Sequence, residues 1–172
     1  TRQLFNKQIE DTLLSLEEKQ SKQIDEWLQK REQAIDQIPL QSAVIKAINT
    51  LMEADEEAAS TLSEERDLIL TNLETVNQDE TIFHQFLVVD TSGTVLVSNR
   101  PDLEGTSLAN APYYNALSQD QTMLAYYGPD PIYNTLAVIT TKPIYDNNDQ
   151  RLVTVWGITG TNLIEDLFAD LN

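Results

Sequence analysis

The side chains in this sequence whose chemistry suits ligand binding are mostly aromatic. Two adjacent tyrosines open a predicted short helix, two more end a predicted strand, and another follows a loop with glycine and two prolines. A tryptophan lies centrally in the last predicted strand, and two threonines add small hydroxyl groups. A tyrosine ring packs against apolar groups while its hydroxyl orients a bound molecule. The predicted binding residues are Tyr113, Tyr114, Tyr126, Tyr127, Tyr133, Thr140, Trp156 and Thr159.

Residues 89–93 read Val-Asp-Thr-Ser-Gly, which invites comparison with the catalytic loop of aspartic proteases. In those enzymes the glycine comes two residues after the aspartate, whereas Gly93 comes three residues after Asp90. Such an enzyme also needs a second carboxylate that shares a proton with the first, and the chain contains no second copy of the segment. The sequence therefore predicts a hairpin turn, with Asp90 capping backbone amides and Gly93 at positive φ.

No other residue pattern indicates catalysis or metal binding. His84 is the only histidine and alternates with apolar residues, which predicts a side chain in the core rather than a metal ligand. The oxygen-rich run at residues 146–149 lacks the glycine and the distal glutamate of a calcium-binding loop, so a solvated hairpin turn is predicted. We expect no catalytic residue, no metal and no cofactor.

The chain is strongly acidic. It has 172 residues, with 11 Lys and Arg against 28 Asp and Glu, so its formal net charge is −17. Such a surface repels phosphate backbones, which excludes sequence-independent binding of nucleic acid. The absence of cysteine excludes disulfides, thiol catalysis and cysteine-ligated metals. No apolar run reaches the ~18 residues of a membrane-spanning helix, and because the first residue is Thr1 we expect a longer protein around this segment.

The composition changes at residue 80. Residues 1–80 contain no glycine and no tyrosine, whereas residues 81–172 contain all five glycines and all six tyrosines. We therefore divide the chain into a helical region, 1–80, and a strand-rich module, 81–172, within one structural unit. Apolar residues recur every three or four positions up to Pro39, which predicts a long helix over residues 1–38. Two shorter helices follow, the first with an apolar stripe of Leu40, Val44, Ala47, Ile48 and Leu51.

Strands are predicted at residues 83–90, 94–98, 123–127, 136–145 and 152–158, with a short helix at 112–118 and a closing helix at 162–171. This order predicts an α+β fold, with the long N-terminal helix and two shorter helices packed on a five-stranded antiparallel sheet of the PAS or profilin kind. In a PAS-like fold the aromatic segments face one cavity between the sheet and its connecting helix. Strand alternation allows only one of Tyr126 and Tyr127 to face that cavity.

Several segments, in the same order, resemble one family. Residues 86–95, Phe-Leu-Val-Val-Asp-Thr-Ser-Gly-Thr-Val, resemble the first hairpin of Cache domains, the PAS-like extracytoplasmic sensors of bacterial transmembrane receptors. Residues 111–116, Ala-Pro-Tyr-Tyr-Asn-Ala, resemble the start of the family's connecting helix. Residues 142–146 and 155–158 are similar to its last two strands, and residues 24–28, Ile-Asp-Glu-Trp-Leu, to its long leading helix.

The resemblance implies a ligand-sensing domain, without catalytic activity, that lies outside the plasma membrane between two transmembrane helices. The implied output is a histidine kinase of a two-component system, a chemoreceptor or a cyclic-nucleotide signalling protein. The chain departs from the family where amino acids are held, since Ala111 replaces an arginine and Thr159 replaces an aspartate. Arg100 and Lys142 are the only cations expected nearby, so free α-amino acids are expected to bind weakly.

The long helix carries a further prediction. One small domain cannot cover Ile9, Leu13, Leu16 and Ile24 together, which predicts a parallel homodimer packed along residues 5–30. Two functions are compatible with these features. The first and preferred one is a sensor that binds a small molecule. The second is a structural or dimerisation module of a membrane protein that binds none.

Overall fold

The computed structural model of the protein describes residues 18–38, 41–55, 62–78, 81–118, 122–127 and 136–159. The helices are α1 (Glu18–Asp36), α2 (Ser42–Glu53), α3 (Ser63–Leu73) and α4 (Tyr114–Ser118), and short 3₁₀ turns span Glu74–Asn77 and Pro101–Leu103. The strands are β1 (Gln85–Asp90), β2 (Val95–Ser98), β3 (Met123–Tyr127), β4 (Leu136–Tyr145) and β5 (Arg151–Thr159). Among the described helices, none combines the length and the apolar character that a membrane crossing requires.

The strands form one antiparallel sheet in the order β2-β1-β5-β4-β3. β5 is the central strand and pairs with β1 on one side and with β4 on the other. The predicted α+β class with an antiparallel sheet is confirmed. Because the last of the described strands lies between the first and the fourth, both neighbours of β5 must be in place before the sheet is complete.

Each face of the sheet packs against its own apolar cluster. On one face α1, α2 and α3 contribute Ile35, Ile48 and Ile69, which lie with sheet residues such as Val88 and Val155. On the opposite face a second cluster surrounds Trp156. It contains Leu87, Val89, Val95, Leu103, Leu108, Tyr113, Leu117, Ala137, Ile139, Trp156 and Ile158. Since both faces are covered, β1 and β5 are apolar almost throughout.

The helical layer follows the predicted stripes. α2 buries Val44, Ala47, Ile48 and Leu51, as its spacing predicts. α1 ends at Asp36, two residues before the predicted end, where Lys142 Nζ on β4 donates to the Asp36 carbonyl at 2.7 Å. Residues 1–17 of the predicted long helix and the predicted closing helix at 162–171 lie outside the described residues.

Two local predictions were wrong. His84 is exposed rather than in the core, because the chain bends there and β1 begins only at Gln85. Ile82 and Phe83 are consequently both buried, and the alternation assumed through this segment does not hold. The short helix begins at Tyr114 instead of residue 112.

Phe83 packs directly on the central strand at Gly157. Asn77 fixes the backbone beside it, since Asn77 Oδ1 accepts hydrogen bonds from the amides of Ile82 at 2.8 Å and Phe83 at 3.1 Å. A Cβ atom on Gly157 would lie 2.8 Å from the nearest carbon of the Phe83 ring, which is closer than real contacts allow. Phe83 itself is 1% exposed and cannot swing into solvent without opening the core.

We expect Gly157→Ala to lower the free energy of unfolding by about 1–3 kcal/mol, because the added methyl overpacks the core against Phe83. Urea denaturation followed by circular dichroism measures this loss. The double variant Phe83→Leu/Gly157→Ala should cost less than the sum of the two single variants, because the smaller side chain leaves room for the methyl. Strictly additive losses would contradict the proposed steric contact.

Candidate functional site

A pocket of about 240 Å³ opens on the face of the sheet that carries α4. It lies at the end of the sheet where β1 finishes and β5 begins, and α4 forms its opposite wall. Its volume is below the ~300 Å³ at which pockets for drug-sized ligands begin, so it suits a small metabolite. The residues that line it are Val89, Asp90, Thr91, Tyr114, Leu117, Arg151, Thr154 and Trp156.

Aromatic rings form the inner wall of the pocket. The Tyr114 ring stacks on Trp156, with centroids 6.4 Å apart and planes 22° apart. Tyr113 lies behind them, fully buried, with its ring edge-on to Trp156 at 5.9 Å. The three rings support one another, so Trp156 is held in one orientation while Tyr114 remains partly exposed to the pocket.

The β1–β2 turn forms one rim of the pocket. Asp90 Oδ1 accepts hydrogen bonds from the amides of Ser92 and Thr94, both at 2.9 Å, and from the Ser92 hydroxyl at 2.6 Å. Gly93 follows with φ of 91°, and the predicted hairpin turn is therefore confirmed. A Cβ atom on Gly93 would lie 3.2 Å from the Tyr114 ring, so the turn residue also lets α4 approach the sheet.

Arg151 forms the opposite rim, and a β-bulge places it there. Ile144 pairs with Val153 and Tyr145 pairs with Arg151, so Leu152 is an extra residue in β5. Leu152 and Val153 both pack into the helical-side core, and the extra residue lets Arg151 share the pocket face with Thr154 and Trp156. Bulges commonly redirect a side chain in this way beside functional sites.

The structure brings together only part of the predicted site. Trp156 and Tyr114 line the pocket and Tyr113 supports them. Thr140 and Thr159 lie on the other face of the sheet. Ile139 belongs to the cluster around Trp156, so its strand neighbour Thr140 faces the helical layer.

Thr159 has a structural partner on that same helical side. Its hydroxyl donates to the Ile82 carbonyl at 3.0 Å and ties the end of β5 to the segment before β1. The small polar residues that share the face of Trp156 are Thr154 on β5 and Thr141, which lies directly opposite Trp156 on β4. The prediction that Thr140 and Thr159 supply polar groups beside Trp156 was therefore wrong, because both side chains lie on the opposite face of the sheet from Trp156.

The remaining predicted tyrosines are described only in part. Tyr126 pairs with Ala137 and Tyr127 with Leu136 in the β3–β4 ladder, and their side chains lie outside what the structure describes. Tyr133 lies outside the described residues altogether.

Neither of the cations predicted near the cavity reaches the pocket. Arg100 pairs with Asp102 at 3.2 Å on an exposed turn, and Lys142 caps α1. Sequence reasoning missed Arg151 because a bulge cannot be recognised from alternation. Sequence reasoning also assigned Asp90 only to the turn. Its position at the end of a strand, in a fold where the aromatic helix was expected to cover the sheet, could have indicated that it lines the pocket as well.

The described residues contain no group of three acidic, histidine or cysteine side chains arranged to hold a metal ion. The run at residues 146–149 instead forms the β4–β5 turn. Asp146 Oδ1 accepts hydrogen bonds from the amides of Asn148 at 2.8 Å and Gln150 at 3.0 Å, and Asp149 has φ of 59°. The predicted hairpin turn is confirmed.

Solved structures of sensor and receptor domains share this fold, among them the following three. The chain is 12% identical to the sensor domain of DcuS from E. coli, with a TM-score of 0.55 over 84% of this chain and 96% of that one. It is 17% identical to the sensor domain of the V. cholerae histidine kinase DctB, with a TM-score of 0.64 over 95% of this chain and 58% of that one. The third is an extracellular ligand binding receptor from Desulfohalobium retbaense, at 14% identity and a TM-score of 0.51 over 85% of this chain and 27% of that one.

No protein-family profile matches the chain, and no curated protein matches its sequence. The chain spans 58% of the DctB structure and 27% of the Desulfohalobium receptor, so it corresponds to part of each. At identities of 12–17% the likeness establishes the fold. The structural likeness to sensor domains that the sequence motifs predicted is thereby confirmed.

We expect Asp90→Ala to lower the free energy of unfolding by about 1–2 kcal/mol, because two turn amides lose their acceptor. Asp90→Asn keeps a carbonyl oxygen at Oδ1 and should lose less than half as much. Chemical denaturation measures both, with Asp102→Ala as the control, since its exposed ion pair should contribute little. Equal losses for the three variants would show that the turn does not depend on this acceptor.

Proposed function

We propose that this chain is a ligand-sensing domain without catalytic activity. The observation that supports the proposal most directly is the pocket beside Trp156, in a fold shared with the sensor domains of DcuS and DctB. Its wall combines stacked aromatic rings with one guanidinium, which suits reversible binding. The Asp90 oxygen that the turn engages already accepts three hydrogen bonds, which ill suits it to act as a catalytic base.

The lining of the pocket favours a small, partly apolar ligand with a single anionic group. Tyr114, Leu117 and Trp156 offer apolar surface, and the guanidinium of Arg151 suits a carboxylate because its donors match the two oxygens. Deep burial of two opposite charges would require acceptors for an ammonium group. Thr159 faces the helical layer and Asp90 Oδ1 is engaged by the turn, which leaves Asp90 Oδ2 as the carboxylate oxygen that an ammonium group would have to use, and weak binding of free α-amino acids remains a prediction.

The fold also supports a place for the domain in a receptor. DctB is a histidine kinase, and the Desulfohalobium protein is an extracellular receptor. By analogy we propose that this domain lies outside the plasma membrane, on the periplasmic or extracellular side, between flanking transmembrane helices. Its output would be a histidine kinase, a chemoreceptor or a cyclic-nucleotide signalling module. Residues 1–80 would carry the signal to the membrane and residues 81–172 would form the sensor module.

A thermal-shift screen of neutral, cationic and anionic small molecules, including monocarboxylates with apolar or aromatic tails, tests the proposal. We expect at least one compound to raise the melting temperature, and Arg151→Gln to weaken its binding roughly 10- to 100-fold, since charge-assisted hydrogen bonds contribute about 1.5–3 kcal/mol. Arg100→Gln is the matched control, because it removes a guanidinium that lies away from the pocket. If no small molecule of any charge shifts the wild type, the domain is a structural or dimerisation module instead.

The predicted homodimer is a separate proposal. We expect the purified domain to dimerise weakly through residues 5–30, because the membrane normally supplies the high effective concentration. Sedimentation over a wide range of protein concentration should show a reversible dimer, and Leu13→Glu should abolish it by placing charge in the seam. A monomer at millimolar concentration would rule out this interface.

A further inference from the structure

A second arginine lies buried in the helical layer, on the opposite face of the sheet from the pocket. Arg31 is on α1 between Trp27 and Ile35, and only 5% of its surface is exposed. Its neighbours along the same helix face are the buried residues Ala34 and Ile38. A cation therefore interrupts the apolar stripe that packs α1 onto the rest of the protein.

The described residues supply little to compensate this charge. Arg31 Nη1 donates to the Trp27 carbonyl at 3.2 Å, and the guanidinium carbon lies 3.8 Å from the centroid of the Trp27 ring. Arg31 Nε is buried without a hydrogen-bond partner. Arg31 takes no part in the ion pairs Arg66–Glu104 and Arg100–Asp102. Burial accordingly lowers the pKa of Arg31 to about 10.

A charge buried in this way requires a counter-charge. Removing a guanidinium from water is strongly unfavourable unless an anion and matching hydrogen bonds replace its hydration. A contact with one aromatic face and one carbonyl oxygen replaces only part of that hydration. Only one side of the Arg31 guanidinium is hydrogen-bonded. Nη1 donates to the Trp27 carbonyl, whereas the edge formed by Nε and Nη2 makes no bond to a described residue.

A second buried polar group lies on the strand that α1 packs against. Thr140 Oγ1 on β4 is buried and has no hydrogen-bond partner among the described residues. Lys142, two positions along the same face of β4, reaches the Asp36 carbonyl at the end of α1. Arg31 precedes Asp36 by about 7.5 Å along the helix axis, at ~1.5 Å per residue. α1 therefore carries a guanidinium whose Nε has no hydrogen-bond partner, and the strand it contacts carries a hydroxyl with none.

We propose that Arg31 forms an anion site at the interface between α1 and β4 that binds a carboxylate. The free Nε–Nη2 edge presents two parallel N–H groups, which match the two oxygens of a carboxylate. This site is distinct from the pocket beside Trp156, because the sheet separates the two. The carboxylate comes either from a small molecule or from an acidic side chain of a second copy of this chain.

Thermal unfolding of the purified chain in sodium acetate tests the site, with sodium chloride at the same ionic strength and pH as the reference. We expect acetate to raise the melting temperature of dilute wild type in a saturable way. Arg31→Met should be as stable as wild type or more so without acetate, because the unpaired charge is gone, and it should lose the acetate response. Arg100→Met, an exposed arginine, and Arg151→Gln, in the pocket, should both keep the response.

A concentration series without acetate distinguishes the two sources of the carboxylate. If a second copy supplies it, Leu13→Glu, which lacks the contact proposed along residues 5–30, still dimerises in sedimentation experiments, adding Arg31→Met abolishes that dimer, and acetate competes with it. The proposal is overturned if Arg31→Met keeps the wild-type response to acetate. It is also overturned if wild type shows neither an acetate response nor an Arg31-dependent dimer. Because Arg151 in the pocket beside Trp156 is also proposed to bind carboxylates, the acetate responses with and without Arg31→Met are compared in the Arg151→Gln background, where failure of this site is distinguishable from failure of the pocket.

Discussion

The central strand β5 must satisfy two apolar cores at once, and the arrangement of the rest of the sheet depends on this constraint. Val153, Val155 and Gly157 face the helical layer, whereas Trp156 and Ile158 face the second cluster. The largest side chain in the strand is therefore adjacent to the smallest. Gly157 lets the Phe83 ring lie against the backbone on one face, while Trp156 fills the space under α4 on the other. At this point β5 therefore projects no side chain toward the helices and its largest side chain toward the pocket.

The pocket forms at the end of the sheet that carries the β1–β2 turn at Asp90 and the β4–β5 turn at Asp146. Asp90 and Asp146 use the same device, a carboxylate oxygen that accepts hydrogen bonds from amides two and four residues ahead. The turn at Asp90 sets the position of one rim. The turn at Asp146 is followed by the bulge at Leu152, which sets the position of Arg151 on the other rim. Part of the acidity of this chain thus serves local turn geometry rather than ligand chemistry.

The sequence was sufficient for those features that depend on local periodicity. The α2 stripe, the bounds of β3 and β4, and both acidic turns follow from spacing and turn chemistry within ten residues. Features that depend on registry with another strand could not be predicted. Because both faces of the sheet are buried, Ile139 and Thr140 are equally shielded, and no polarity difference indicates which of them faces Trp156. The same ambiguity misplaced Thr159.

Arg151 and His84 illustrate a different limit, which is the effect of one irregular residue on everything after it. Alternation assumes an unbroken strand, so an added residue at Leu152 reverses the face expected for Arg151. The bend at His84 likewise exposes a side chain that alternation assigns to the core. The hydrogen-bonded ladders with β1 and β4 fix the register of β5. This pairing outweighs the cost of one irregular residue in the strand. A strand with two partners tolerates a bulge at its end, where only the pairing with β4 is interrupted.

The position of the sheet between the pocket and α1 constrains how one can influence the other. The pocket touches β1 and β5, whereas α1 contacts β4, which lies one strand further along the sheet. One contiguous route from Arg151 or Trp156 to α1 runs along the β5–β4 ladder, in which Thr141 lies directly opposite Trp156 and Lys142 is the next residue. The Lys142 ammonium group donates to the Asp36 carbonyl at the end of α1. A shift of β4 along its axis by less than one residue would therefore move this charge relative to the helix end. Because a packed sheet moves as a unit rather than residue by residue, coupling across it requires the two ladders to shift together.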